Sequence, residues 1–250
     1  MMDHRVYCDL LEPEIIRLTA ALGETDSQAP VPGCEDWRAL DLAQHVGLVH
    51  RWATRAVETA AKERVPFRDV PVEYPAHWDE YPGWLTQGGL ALLAALRAVD
   101  GAAPVWAWGA DQSMRFWSRR QFHETMVHRI DAERTAGLVP VIDPIHSIDA
   151  IDEFLANLPY SRNAGPALAA LGEAGRYTVH LHATDADGEW MIFLGGDGYR
   201  WERGHGKGDV AVRATIADLL LLVFGRRGVE GLEVFGDAGL YARWKEASRL

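Results

Sequence analysis

Residues 116–133, FWSRRQFHETMVHRIDAE, decide the fold, because this stretch has helical spacing and places Glu124 four residues before His128. Four residues turn an α-helix by about 400°, so both side chains leave one face of the helix and can share an ion. His123 lies about 140° around the helix from His128 and is not expected to join them. From this helix alone, a solvated Glu/His pair on an exposed face is the favoured interpretation.

A second helix supplies a further candidate ligand. In residues 37–57, WRALDLAQHVGLVHRWATRAV, His45 shares an apolar stripe with Leu42 and Val49, which predicts that it points into a helical bundle. A histidine on such a face is more often a hydrogen-bonded core residue than a ligand. His50, about 140° from His45, is interpreted as a packing or supporting residue. Three nitrogen and oxygen ligands would leave one position of a zinc ion open, as in catalytic zinc sites.

The bulk composition is that of an ordinary globular protein. The 250 residues are 48% hydrophobic and 24% charged, and the formal net charge is -11. This charge repels phosphate backbones and anionic lipids, so neither a nucleic-acid nor a membrane partner is expected. The two cysteines, Cys8 and Cys34, are too few for a disulfide framework, and the first residues lack the pattern of a secretory peptide. A cytoplasmic location is therefore predicted, and the sequence carries no signal for oligomeric state.

The order of periodic segments predicts two domains. Residues 1–140 are predicted to form an all-α four-helix bundle, residues 141–165 a linker that carries one helix begun near Ser147, and residues 166–250 a smaller α+β domain. The predicted bundle helices cover about residues 5–22, 38–63, 82–99 and 113–136. In the last domain, YTVHLHAT, EWMIFLG, GYRWERG and VAVRAT alternate as short strands, and IADLLLLVFGR and AGLYARWKEASRL have helical spacing.

Two long stretches resemble a known family. VPGCEDWRALDLAQHVGLVHRWA at 31–53, with FWSRRQFHETMVHRIDAERTAG at 116–137, is similar to the mycothiol-dependent maleylpyruvate isomerase family, a branch of the DinB-like four-helix-bundle superfamily. The stretch IADLLLLVFGRRGVEGLEVFGDAGLYARW at 216–244 resembles that family's second domain, which is related to sterol-carrier folds. Nearly the whole chain is covered by the resemblance.

The resemblance implies a metal, a thiol and a set of site residues. It implies zinc bound by His45, Glu124 and His128, with water or the thiol of mycothiol completing the shell. It also implies a catalytic arginine in the second domain, for which Arg226 of the GRR motif is the best match; Arg227 adjoins it, and a surface charge is the other interpretation of either residue. The expected partners are thus a small-molecule thiol and an electrophilic substrate.

Coordination to zinc deprotonates a thiol, and the resulting thiolate can act in two ways. Addition to a cis double bond, rotation and elimination would be isomerisation, whereas irreversible addition or displacement would be S-transfer. The segment VEYPAHWDEYPGW at 72–84 is rich in aromatic residues and contains no Lys or Arg, which favours S-transfer to a bulky, weakly anionic substrate over isomerisation of the dianion maleylpyruvate. Trp78 and Trp84 are the predicted substrate contacts in this segment.

The sequence is also compatible with two other functions. The protein could bind a metal or an apolar ligand without turnover, in which case bound metal would come without any thiol-dependent activity. Alternatively, a zinc-bound water could hydrolyse a substrate with no thiol added.

Overall fold

A computed structural model of the chain describes residues 2–249, which divide into two compact units, one ending at Val141 and the other beginning at Ile142. The first unit is helical, and the second is α+β with a five-stranded sheet. Both features confirm the predicted fold class. None of the helices within the described residues is long and apolar enough to cross a membrane.

Four long helices build the first unit. They are α1 (His4–Gly23), α2 (Ala39–Glu58), α3 (Tyr81–Arg97) and α4 (Met114–Thr135). Helix α4 ends at Thr135, close to the predicted residue 136, and Gly137 follows with a φ of 74° that favours glycine. Helix α2 ends before the predicted residue 63, because Ala60 takes a left-handed φ of 43°.

Two clusters of buried apolar side chains can be distinguished in this unit among residues 2–249. Trp117 is fully buried in one of them, and its indole Nε1 donates a hydrogen bond to the carbonyl oxygen of Trp106 at 2.9 Å. Leu42 and Leu85 are buried in the other, where α2 and α3 pack together. Burying one large apolar side chain contributes about 1.5–3 kcal/mol, so these contacts hold α2 at a defined position in the bundle.

The second unit joins a sheet to four helices. Its strands are β1 (Tyr177–Ala183), β2 (Glu189–Gly195), β3 (Gly198–Arg203), β4 (Val210–Ala214) and β5 (Glu233–Gly236), and its helices are α5 (Pro144–Asn157), α6 (Ala164–Glu173), α7 (Ile216–Val223) and α8 (Ala238–Ala247). The strand order is β3-β2-β1-β4-β5, with β1 and β4 parallel and the other pairs antiparallel. Helix α7 packs against β1 and β4, and α5 packs against α7.

Three details of this unit differ from the sequence expectations. The helix start predicted near Ser147 is wrong: α5 begins after Asp143, whose side chain accepts hydrogen bonds from the backbone N–H groups of Ile145 and His146. Helix α6 and strand β5 were not predicted. The four-residue β5 is too short for its alternation to stand out, and α6 lacks a clear apolar stripe because it is rich in alanine and glycine.

Candidate metal centre

The three predicted ligands lie together in the first unit. His45 comes from α2, Glu124 and His128 come from α4, and one ligand atom of each lies within 4.8 Å of the other two. Glu124 Oε1 is 3.0 Å from His45 Nε2 and 3.2 Å from His128 Nε2. The packing of α2 against α4 therefore brings side chains that are 79 residues apart in the chain to a single point.

This donor set has the chemistry and spacing of a divalent-metal site. Zinc bound tetrahedrally by imidazole and carboxylate at about 2.0–2.2 Å needs donor atoms about 3.3 Å apart. The separations of 3.0 and 3.2 Å around Glu124 Oε1 are close to that value. Imidazole nitrogens and a carboxylate oxygen suit zinc and the neighbouring divalent transition metals. Within residues 2–249 the cluster holds three protein ligands, which leaves one position for an exogenous molecule.

Arg120 orients the carboxylate of Glu124. One turn earlier on α4, its Nη2 donates to Glu124 Oε2 at 3.0 Å, so Oε1 is the oxygen that faces both imidazoles. Burial acts to raise the pKa of Glu124, but the charge and hydrogen bond of His128, the hydrogen bond of His45 and the charge of Arg120 hold it well below 4.5. The carboxylate is therefore ionised at neutral pH, as a metal ligand must be.

Asp131 orients the imidazole of His128. Its fully buried carboxylate is 3.0 Å from His128 Nδ1, one turn further along α4. An imidazole whose Nδ1–H bonds to a carboxylate keeps Nε2 available as a ligand. Burial acts to lower the pKa of His128, but Glu124 and Asp131 outweigh it and raise that pKa above 6.5. Protonation of His128 would compete with a metal ion for Nε2, so affinity for an ion would fall as the pH falls.

Trp37 forms a wall of the site that the sequence analysis missed. Its ring is stacked on His128 at 15° with centroids 6.0 Å apart, and it lies 4.9 Å from the ring of His45. The three ligand side chains become more exposed towards His45, at 7% for His128, 21% for Glu124 and 35% for His45. A small molecule can therefore approach from the His45 side, beside an indole face.

The predicted substrate contacts Trp78 and Trp84 are both half-buried. Trp78 Nε1 donates to the carbonyl oxygen of Thr25 at 2.8 Å. Trp84 lies against Gly47 of α2, where a Cβ would be 1.9 Å from its Cζ3 atom, and the guanidinium of Arg51 lies 3.8 Å from its ring centre. Both rings pack against the core at the α2–α3 contact, so a role in substrate binding stays a prediction for them.

His50 has the supporting position that helix spacing predicts for it. It is buried, and its Nε2 is 2.9 Å from Thr125 Oγ1, on the residue next to Glu124. Burial lowers the pKa of His50 from 6.5 to about 3, with Glu124 acting in the opposite direction. The side chain is thus neutral in the folded protein, and its hydrogen bond joins α2 to α4 beside the three candidate ligands.

Charged side chains lie together in another part of the first unit. An open pocket of about 820 Å³ lies between α2, α3 and residues 68–71, and Arg51, Arg55 and Arg68 line it. None of the three cluster residues lines this pocket. Glu58 and Asp69 line the same pocket, so carboxylates partly balance these arginines.

Arg226 and Arg227 follow α7 in the second unit. The guanidinium of Arg227 contacts the carboxylate of Asp218 and donates to the carbonyl oxygen of Glu230 at 2.9 Å, which ties down the following loop. Arg226 is half-buried and donates from Nη1 to the carbonyl oxygen of Phe224 at 2.8 Å. Arg227 thus has a structural function, and Arg226 stays the candidate catalytic arginine.

Comparison with known families accounts for most of the chain. Residues 9–133 match the model of the mycothiol maleylpyruvate isomerase N-terminal domain, and residues 146–243 match the model of the MDMPI C-terminal domain. The chain belongs to the mycothiol maleylpyruvate isomerase family. No curated protein matches it.

A solved structure of the same family has this fold. It is the crystal structure of a mutant of the mycothiol-dependent maleylpyruvate isomerase, which matches with a TM-score of 0.61 and 15% sequence identity over 93% of each chain. At this identity the match shows a common fold. Membership of the mycothiol maleylpyruvate isomerase family favours isomerisation over the S-transfer that the aromatic segment favoured.

Proposed function

We propose that this chain is a mycothiol-dependent cis–trans isomerase of maleylpyruvate or a closely similar unsaturated diacid, with a zinc ion held by His45, Glu124 and His128. The observation that carries the proposal is the convergence of these three ligands with one open position. A bound zinc ion would supply the chemistry that a free thiol lacks at neutral pH, which is deprotonation to a thiolate. Family membership supports both the thiol and the reaction.

The chain's own residues have separable tasks in this proposal. Arg120 and Asp131 hold the Glu124 carboxylate and the His128 imidazole in the orientation that exposes one ligand atom of each. Trp37 covers one side of the cluster and limits the approach of water, while the more exposed side at His45 admits the thiol and the substrate. Arg226 stays the proposed catalytic arginine, a residue type that suits a substrate with carboxylates.

Metal content tests the ligand set. His45→Ala and His128→Ala are each expected to lose most of the zinc bound at this site while keeping the helical circular dichroism of the parent protein. His77→Ala provides a matched control, because this histidine is exposed and lies outside the cluster in the same unit. A full equivalent of zinc retained at this site in either ligand variant would remove that residue from the proposal.

Thiol balance tests the reaction. An isomerase returns its thiol after each turnover, whereas an S-transferase consumes one thiol per product. We expect catalytic amounts of mycothiol to support many turnovers of maleylpyruvate with no loss of free thiol. Stoichiometric loss of thiol would indicate S-transfer, turnover without thiol would indicate hydrolysis, and bound zinc with no thiol-dependent turnover would indicate a binding protein.

A further inference from the structure

A second group of metal-ligand side chains lies in the second unit. His180 and His182 come from β1, Glu189 begins β2, and His205 lies between β3 and β4. One ligand atom of each of these four residues lies within 4.8 Å of the other three. The mechanism proposed for the first unit uses none of them.

The strand pairing explains why the four residues meet. His180 and His182 are two residues apart on β1, so they project from the same face of the sheet. Val179 and Leu181 alternate with them, project from the other face and are fully buried. In the antiparallel register His182 pairs directly with Glu189 of β2. Directly paired residues project to the same face, and this brings the carboxylate beside both imidazoles.

Three imidazole nitrogens surround a single carboxylate oxygen. Glu189 Oε1 is 3.0 Å from His205 Nδ1 and 3.4 Å from His180 Nε2, and it also contacts His182 Nδ1. These separations are near the roughly 3.3 Å expected between donors on one tetrahedral zinc ion. The ring centroids of the three histidines are 5.4 to 6.5 Å apart, so no ring blocks the centre of the group.

His180, the most buried of the three histidines, is evidence for a bound ligand. His180 is only 5% exposed, and among the described residues its buried Nε2 atom has no hydrogen-bond partner of acceptable geometry. Such a buried polar atom is costly unless something else binds it. A metal ion at the centre of the group would satisfy it.

We propose that His180, His182, Glu189 and His205 bind a second divalent transition-metal ion of the zinc class. Four protein ligands complete a tetrahedron, which is typical of a structural site and differs from the open site of the first unit. The ion would join His205, in the exposed connection 204–209, to β1 and β2. Its function is to hold this connection against the sheet.

Zinc stoichiometry of the full-length, tag-free protein tests this proposal. We expect two equivalents in the parent, one in the double variant His182→Ala/His205→Ala, and one in a double variant that lacks His45 and His128. Lys207→Ala is the matched control, because Lys207 is exposed in the same connection and should leave both equivalents in place. Circular dichroism checks that each variant is folded.

The two proposed sites fail in distinguishable ways. If the variant without His45 and His128 binds no zinc, the second site does not exist and the first can still stand. If the variant without His182 and His205 binds as much zinc as the parent, the second site is also refuted. A zinc equivalent that disappears only with His182 and His205 supports the second site, whatever the metal content of the first.

Hydrogen exchange gives an independent readout of the structural role. Zinc should slow amide exchange in residues 204–209 of the parent and of Lys207→Ala, and it should leave the exchange of His182→Ala/His205→Ala unchanged. Single replacement of the exposed His205 by alanine should weaken binding at this site by at least about tenfold. Equal exchange rates with and without zinc in the parent would contradict the proposed role of the ion.

Discussion

Loss of the Asp131 carboxylate should weaken zinc binding at the first site without removing any ligand. Asp131 is fully buried and accepts the hydrogen bond of His128 Nδ1 at 3.0 Å. In Asp131→Leu the imidazole keeps its place on α4, but its Nδ1–H is buried without that acceptor. The ring is then free to rotate and to change tautomer, both of which disfavour the ligating state of Nε2.

The expected size of the effect follows from the type of hydrogen bond lost. A hydrogen bond to a charged group contributes about 1.5–3 kcal/mol. Each 1.4 kcal/mol is about tenfold in affinity. Asp131→Leu should therefore weaken zinc binding by about 10 to 100-fold, the range typical of partners that orient a metal-bound histidine. Asp131→Asn keeps an oxygen acceptor and loses only the charge, so its effect should be smaller.

Competition with a chromophoric chelator at neutral pH measures this affinity. The titration is made in the His182→Ala/His205→Ala background, so that zinc at the second proposed site does not contribute. Circular dichroism shows whether each Asp131 variant is folded. A folded Asp131→Leu protein with the affinity of its background would refute the orienting role, and equal losses in the leucine and asparagine variants would assign the effect to charge alone.

Three further predictions concern pH, packing and turnover. The pKa of His50 is about 6.5 in the unfolded chain and about 3 in the folded protein, so between these values the unfolded state binds more protons and the free energy of unfolding falls as the pH falls, by up to about 1.4 kcal/mol per pH unit. His50→Gln should lose this contribution to the pH dependence in urea titrations from pH 7 to 4.5, and identical slopes for the variant and the parent would contradict it. Gly47→Ala should destabilise the protein by about 1–3 kcal/mol, because the added methyl group displaces Trp84. Gly83 has open space around it, so Gly83→Ala should change stability by less than about 0.5 kcal/mol, and similar urea midpoints for the two variants would contradict this packing. Arg226→Ala should reduce kcat/KM at least about tenfold and leave zinc content unchanged, and normal kinetics would remove it from the mechanism.

The local parts of the first site can be predicted from sequence. Helical periodicity places Glu124 and His128 on one face, and the same rule could have found Arg120 and Asp131, which lie four residues before Glu124 and three after His128. Trp37 carried no such signal, because it precedes α2 and meets His128 only through the packing of separate helices. Its position depends on the folded chain.

The group formed by His180, His182, Glu189 and His205 could likewise be predicted only in part from sequence. The alternation in YTVHLHAT predicts a strand with His180 and His182 on one face, but nothing in that stretch shows which residue of β2 lies opposite. Strand register and the path of the connection to His205 depend on hydrophobic packing of the whole sheet. The group of four could therefore not be identified before the tertiary structure was known.

The amino-acid sequence by itself determined the helices of the first unit, four of the five strands of the second, and the pairing of Glu124 with His128, because helical and strand periodicities are local properties of a short segment. The tertiary structure decided that His45 lies 3.0 Å from Glu124, that Trp37 covers them, and that three histidines surround Glu189. Those contacts join residues far apart in the chain. Their geometry depends on how whole elements bury their apolar faces together.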